Sequence, residues 1–298
     1  MAVKVIQEKQ VAVQNSKLKD YVQLVKLRLS LTVVFSSIMA YLIGMQGVLE
    51  WQSLVILGLG GFLVTGAANT FNQVLEKDFD KLMRRTADRP LAAGRMKTSE
   101  AVLAAGFMSL SGITFLALFN PWTAFLGTLA LVMYAFVYTP LKRISPIAVM
   151  VGAIPGALPT LIGVVAAEGQ ITSLGIVLFF IQFLWQFPHF WSIGWLGFED
   201  YRKAGYQMIP EKNGKPDAAM SRQSIYYALF LLPVAVLPFY LGATGVVSAV
   251  IMVLLSLVYL GFSWNFHRQQ DRKSALKLMF FSFSYIPLGL VVLFIDKI

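Results

Sequence analysis

The chain has 298 residues, 57% of them hydrophobic and only 13% charged, with a formal net charge of +10 and no cysteine. Soluble domains carry nearer 45–50% apolar and about 25% charged residues, so this composition excludes an ordinary soluble enzyme and defines an all-α polytopic membrane protein. The missing cysteine excludes disulfides, thiolate metal sites and a cysteine nucleophile. The excess of positive charge is explained by membrane topology before nucleic acid is invoked.

Residues 1–25 are polar and mixed in charge. They lack the short apolar core of a signal peptide and the Arg-rich, acid-poor composition of a transit peptide, and are expected to be a cytoplasmic tail. A membrane helix needs about 20 apolar residues. Nine such runs follow, at 29–48, 52–72, 101–119, 122–140, 146–166, 172–195, 225–242, 245–264 and 275–295. Residues 26–298 are therefore expected to form one membrane domain of nine transmembrane helices. Lys and Arg test the count, because they collect on the cytoplasmic side. Six precede the first run, seven lie in 73–100, two at Lys142-Arg143, five in 196–224 and four in 265–277. With nine crossings all five segments fall on one side, and only Lys297 falls on the other. The topology expected is N-terminus inside and C-terminus outside, in the cell membrane.

At the end of the second run the apolar stretch Leu54 to Phe71 meets Asn72-Gln73-Val74-Leu75-Glu76-Lys77-Asp78-Phe79-Asp80. A charge at a membrane helix centre costs roughly 2.5–3.5 kcal/mol, less near the interface, so acids at this depth imply use. Asn72, Glu76 and Asp80 are four apart and share a helix face. Asp78 falls on the other side of a regular helix. Two carboxylates and an amide oxygen on one face suit a hard cation, and Mg²⁺ fits best when phosphates supply its other ligands. Arg84, Arg85 and Arg89 follow directly, and anion-binding beside cation-binding groups points to a metal-bridged phosphate. The competing reading is a solvated helix end in which Glu76 pairs with Lys81.

Tyr138 and Lys142 end the fourth run, four residues apart across Pro140. A phenol and an ammonium facing a cavity suit a diphosphate leaving group; an interfacial anchor with a positive-inside pair is the plainer account. Pro155 and Pro159 fall inside the fifth run. Proline there either kinks a packed helix or opens it toward a cavity. His189, in Phe187-Pro188-His189-Phe190-Trp191, is the intramembrane histidine of the two in the chain, and could be a haem ligand, a base or a hydrogen-bonded packing residue. Asp200 and Lys203 follow the sixth run, where a second acidic half-site and a solvated loop are both open. No GxxxxGK[ST] loop and no GxGxxG fingerprint occurs, so any diphosphate bound belongs to the substrate.

Together these residues resemble the UbiA superfamily of intramembrane prenyltransferases, over the chain from about Lys26 onward. The first motif of that superfamily, Asn-Asp-x-x-Asp-x-x-x-Asp, has its counterpart in Asn72-Gln73-x-x-Glu76-x-x-x-Asp80, and its Tyr-x-x-x-Lys motif in Tyr138 to Lys142. Asp78, Met83-Arg84-Arg85-Thr86, Arg89, the segment 152–159, Pro188-His189-Phe190-Trp191 and Asp200-Tyr201-x-Lys203-Ala204 are similar to the branch that acts on haem. Three positions depart from the superfamily pattern: Gln73 for Asp, Glu76 for Asp, and Ala204 where a second Asp usually follows Asp200. The resemblance implies a Mg²⁺-dependent enzyme with a UbiA-type helical bundle, transferring farnesyl from farnesyl diphosphate to haem B to give haem O. It implies Mg²⁺ on Asn72, Glu76, Asp80, Asp78 and Asp200, and diphosphate on Arg84, Arg85, Arg89, Lys142 and Lys203. Catalytic roles fall to Asn72, Glu76, Asp80, Tyr138, Lys142 and Asp200, and an acceptor pocket to His189 and Trp191. The implied partners are the lipid bilayer and a downstream haem A synthase. The alternatives are a quinone-precursor or chlorophyllide acceptor, or a haem carrier or transporter, whose signature of internal repeats with mid-membrane charge does not occur.

Overall fold

The computed structural model describes residues 17–298; most of the tail expected over 1–25 lies outside them. Among the described residues nine helices are long and apolar enough to cross a membrane. They are α1 (Leu27–Gly44), α2 (Trp51–Asp80), α3 (Thr98–Ala117), α4 (Pro121–Leu141), α5 (Ala148–Glu168), α6 (Ser173–Leu196), α8 (Ala219–Tyr240), α9 (Val246–Gln269) and α10 (Arg272–Ile295). A short helix α7 (Phe198–Lys203) follows α6. It leads into a small antiparallel hairpin, β1 (Glu211–Lys212) and β2 (Lys215–Pro216), turned by Asn213 and Gly214 at positive φ, the Asn-Gly pair that such two-residue turns favour.

Three helices reach well past their apolar runs: α8 begins at Ala219 rather than 225, α9 ends at Gln269 rather than 264, and α2, 30 residues long, carries on from 72 to Asp80, as the four-residue spacing of Asn72, Glu76 and Asp80 requires. The charged segment can stay helical because its polar stripe faces the bundle and finds partners there.

Helix α5 is the most enclosed of the nine. It packs on α1, α4 and α6, while α2 lies between α1 and α3, and α6 also meets α8 and α10. Helix α10 returns to α1, and the Lys297 ammonium donates to the Leu42 carbonyl at 3.0 Å. Lipid tails are as apolar as leucine, so close backbone approach and side-chain hydrogen bonds drive association. Gly163 of α5 shows this: a Cβ there would lie 2.1 Å from the Ser37 carbonyl oxygen of α1.

Pro155 and Pro159 do not open α5, which runs unbroken through both. Two glutamines of α6 dock on this segment. Gln186 Nε2 donates to the Ala153 carbonyl at 3.0 Å and Gln182 Nε2 to that of Gly156 at 2.9 Å. The outward faces of α3 and α9 carry exposed Leu103, Phe107, Leu110, Val250 and Leu254, the apolar exterior that a hydrocarbon solvent requires.

Candidate active site

The acid stripe of α2 is buried. Asn72, Glu76 and Asp80 are 1%, 2% and 1% exposed. Burying charge is costly unless each ion is paired and hydrogen-bonded, and here each is. Asn72 Nδ2 donates to Glu76 Oε2 at 2.8 Å and to Thr139 Oγ1 at 3.1 Å. Lys26 Nζ donates to Asn72 Oδ1 at 2.9 Å. Glu76 Oε1 meets the Lys142 ammonium. Arg89 Nη1 lies 2.8 Å from both oxygens of Asp80. Thr86 Oγ1 donates to the Asp80 carbonyl at 2.9 Å, holding the turn that returns Arg89 to the helix end. Two carboxylates and one amide thus face three basic side chains, a setting that suits an anion.

Tyr138 and Lys142 are brought to this site by an irregular α4. Residues Met133–Tyr138 form a π-helical segment, a feature that adds a residue to the turn and often marks functional sites. Pro140 follows it and has no N–H to give the ladder. The Lys142 ammonium sits over the rings of Tyr138, at 5.0 Å, and Tyr206, at 5.4 Å. Helix α5 admits the Tyr138 ring only because residue 152 is glycine; a Cβ would come within 2.6 Å of it.

The segment after α7 covers the site. Gln207 N donates to the Lys142 carbonyl at 2.9 Å. Tyr206, Met208 and Ile209 are buried with Phe79, Met83, Val149, Ala153 and Trp191. Among the described residues the Tyr206 hydroxyl meets no hydrogen-bond partner. Burial first, and then the Glu76 carboxylate, pushes its phenol far above its ordinary range, so it stays a donor.

Other expected residues stand apart from this cluster. Asp78 is on the opposite side of α2, 67% exposed and paired with Lys81 at 2.8 Å; Lys81 therefore serves Asp78, not Glu76. Asp200 faces Arg84 at 3.4 Å at the exposed rim, not Glu76 and Asp80. Arg85 Nη2 donates to the Tyr201 hydroxyl at 2.9 Å, and Lys203 is exposed. His189 and Trp191, grouped in one pocket by the sequence reading, are not brought together. Two residues apart on a helix are turned by roughly 200°. Trp191 joins the apolar cluster under Tyr206. His189 faces α10, with Nδ1 2.7 Å from Ser282 Oγ and its ring stacked on Trp185 at 4.9 Å.

Two of the three motif departures have physical reasons. Gln73 points away from the acid face, and its amide donates to the carbonyls of Gln23 and Leu24 at 3.1 and 2.7 Å; a carboxylate could not donate there. Ala204 is buried in the apolar cluster beside Tyr206 and Met208, where an aspartate would be unpaired. Sequence reasoning missed Lys26, Thr139 and Tyr206. Lys26 was counted only as a topology charge, and its signal is structural: a non-glycine residue at φ 49°.

Among the described residues no three acidic or histidine side chains gather into a ready-made metal site. Asn72, Glu76 and Asp80 are hard oxygen donors that fit Mg²⁺ chemically, provided a further ligand such as a phosphate completes the shell.

A bundle of membrane-type helices with a buried acid stripe and basic groups suited to phosphate at one end has the parts that an intramembrane prenyltransferase uses. The UbiA prenyltransferase family matches residues 33–285, and the chain belongs to that family. Within it, the chain is 41% identical over 284 residues to a protein of Cytophaga hutchinsonii named protoheme IX farnesyltransferase, covering 95% of this chain and 99% of that one. It is 42% identical over 290 residues to one of the same name from Flavobacterium psychrophilum, covering 95% and 96%. Solved structures share the fold at low identity. A digeranylgeranylglyceryl phosphate synthase superposes with a TM-score of 0.79 at 17% identity, covering 94% of this chain and 98% of that one. A UbiA homolog from Archaeoglobus fulgidus bound to GPP and Mg²⁺ gives 0.68 at 16% identity, covering 92% and 99%.

Proposed function

We propose that the chain transfers the farnesyl group of farnesyl diphosphate to a vinyl group of haem B, with addition of water, giving haem O and diphosphate. The observation that carries the donor half is the buried Asn72–Glu76–Asp80 stripe met by Lys26, Arg89 and Lys142. The acceptor half is supported by the relatives at 41–42% identity that are named for protoheme IX. The A. fulgidus homolog bound to GPP and Mg²⁺ supports a prenyl diphosphate and a metal of the same kind.

Lys26, Arg89 and Lys142 neutralise the diphosphate as its bond to the farnesyl carbon breaks, the preorganised electrostatic stabilisation that is strongest in a dry site. Arg84, Arg85 and Lys203 stand at the rim and draw the anion in, with Asp200 holding Arg84. Asn72, Glu76 and Asp80 would hold Mg²⁺ against the diphosphate, and the ion when bound supplies further charge neutralisation to the leaving group. Tyr138 and Tyr206 wall the site, hold the Lys142 ammonium over their faces and exclude water. The vinyl carbon attacks the farnesyl cation, forming the new C–C bond. Water then adds to the resulting carbocation, on the former vinyl carbon next to the ring, and loses a proton, leaving a hydroxyethylfarnesyl side chain. Trp191, on the site side of α6, is the acceptor-side residue of the two expected.

Residues 26–298 act as one domain, in the cell membrane, with the site on the cytoplasmic side, the N-terminus inside and the C-terminus outside. A haem A synthase acting on the product is the partner this function implies.

The test uses washed membranes containing the protein, given haem B, farnesyl diphosphate and Mg²⁺, with extracted pigments weighed by mass spectrometry. Haem carrying a hydroxyethylfarnesyl side chain is the expected result. Unchanged haem, with diphosphate released only when a quinone precursor is added, would overturn the acceptor and keep the prenyltransferase. Consumption of neither substrate would leave a haem carrier in its place.

A further inference from the structure

A second polar feature on the face of the site lies outside it. Helices α2, α4, α6 and α9 are the second, fourth, sixth and eighth crossings, so their C-terminal ends share one face. At that face the end of α9 and the start of α10 enclose a groove of about 830 Å³, open to the exterior of the bundle. Its apolar part is Phe262, Leu276, Phe280 and Phe281, and its polar part is Arg272, Lys273 and Lys277, with Ser284 deeper. The rings of Phe262 and Phe281 meet across the two helices at 5.1 Å, while Phe280 is 62% exposed.

Among the described residues no ion pair holds the charges of this groove: Arg272, Lys273 and Lys277 make none, whereas Lys142, Arg84, Arg89 and Arg95 each do. Asp271, just before α10, is engaged as its cap, accepting from Ser274 N at 2.8 Å. Arg272, Lys273 and Lys277 lie in the first turns of α10, and farther along the helix Phe280, Phe281 and Ser284 follow at the i+3, i+4 and i+7 positions from Lys277. An amphiphile with an anionic head and an apolar tail matches this order; a soluble anion matches only half of it.

We propose that the α9–α10 groove is a binding site for an anionic phospholipid of the surrounding leaflet. The phosphate is held by Arg272, Lys273 and Lys277, and one acyl chain lies against Phe262, Phe280 and Phe281. Basic pockets between transmembrane helices on the cytoplasmic side recognise acidic lipid headgroups in this way. The site is separate from the acid stripe and does not depend on haem being the acceptor.

The experiment is native mass spectrometry of the detergent-solubilised full chain with phosphatidylglycerol or phosphatidylcholine added. Retention of one phosphatidylglycerol, at a concentration where phosphatidylcholine is not retained, is the result expected. Each basic residue at a leaflet surface contributes roughly a factor of five, so R272Q/K273Q/K277Q should weaken retention by roughly a hundredfold. The control K212Q/K215Q, in the β-hairpin and outside the groove lining, should not weaken it, and Phe280→Ala should weaken it with every charge kept. Prenyl transfer by the triple variant in detergent reports separately on the acid site and on folding. Equal retention of the two lipids would overturn the proposal, as would a triple variant that binds like wild type. Competition by glycerol phosphate as strong as by the lipid would make the ligand a free anion, and displacement by farnesyl diphosphate or haem B at lower concentration would make the groove a substrate site; either overturns it.

Discussion

Arg89 holds Asp80 by a single nitrogen placed 2.8 Å from each carboxylate oxygen. Asp80 ends α2 and Arg89 lies beyond a tight turn, so the pair fixes the charged segment against the helix it leaves. Removing one member of a buried pair strands the other, at roughly 3–5 kcal/mol. Arg89→Ala should therefore lower the thermal midpoint in detergent markedly. Asp80→Asn keeps the shape and loses the charge, and should abolish haem O formation at any Mg²⁺ concentration. Wild-type-like turnover in Asp80→Ala would remove the stripe from the chemistry.

Lys142 meets the Glu76 carboxylate, and in the proposed reaction it also neutralises the diphosphate. Lys142→Gln should raise KM for farnesyl diphosphate and lower kcat by roughly a hundredfold, the scale of losing one preorganised charge-stabilising donor. Steady-state kinetics with the prenyl donor varied would show it. A rise in KM alone would make Lys142 a ground-state binding group.

Tyr206 offers a pH test. Its phenol is held above the ordinary value of about 10, first by burial and then by the Glu76 carboxylate. The folded state therefore favours the neutral form, so this contribution to stability is whole below pH ~10 and declines as the pH rises beyond it. Across an assay range of roughly 6 to 9 the group remains a donor. Tyr206→Phe should slow turnover without moving the alkaline limb of the pH–rate profile. A limb that disappears in the variant would mean that Tyr206 itself ionises during the reaction.

His189 and Trp191 should separate. His189→Gln can still hydrogen-bond Ser282 and is expected to keep most activity while lowering thermal stability. Trp191→Phe, which alters the apolar cluster under Tyr206, should change KM for haem B. Kinetics with the acceptor varied distinguishes the two; a change in haem KM in His189→Gln would return that residue to the acceptor pocket.

Gly163→Ala should destabilise the bundle by about 1–3 kcal/mol or more, because the new methyl meets the backbone of α1, which cannot rotate away. Thermal unfolding in detergent measures it. An unchanged midpoint would show that α1 and α5 can slide apart freely.

The nine spans were legible in the chain because hydrocarbon imposes a long apolar run on every crossing, and because Lys and Arg mark one side of each. The stripe Asn72, Glu76, Asp80 was legible too, since four-residue spacing fixes a helix face whatever the helix packs against. Tertiary structure alone decided which cation answers which acid. Lys26, Arg89 and Lys142 are 46, 9 and 66 residues from the groups they meet, and no local periodicity encodes such pairings. The outward turn of Asp78 follows from helix spacing alone, but tertiary structure also decided that Asp200 stays at the rim with Arg84 and which neighbours His189 and Trp191 meet on their opposite faces. Each depends on which neighbouring helix lies against which face, and in a bilayer that choice follows from small-residue contacts and hydrogen bonds between helices, to which hydropathy is blind.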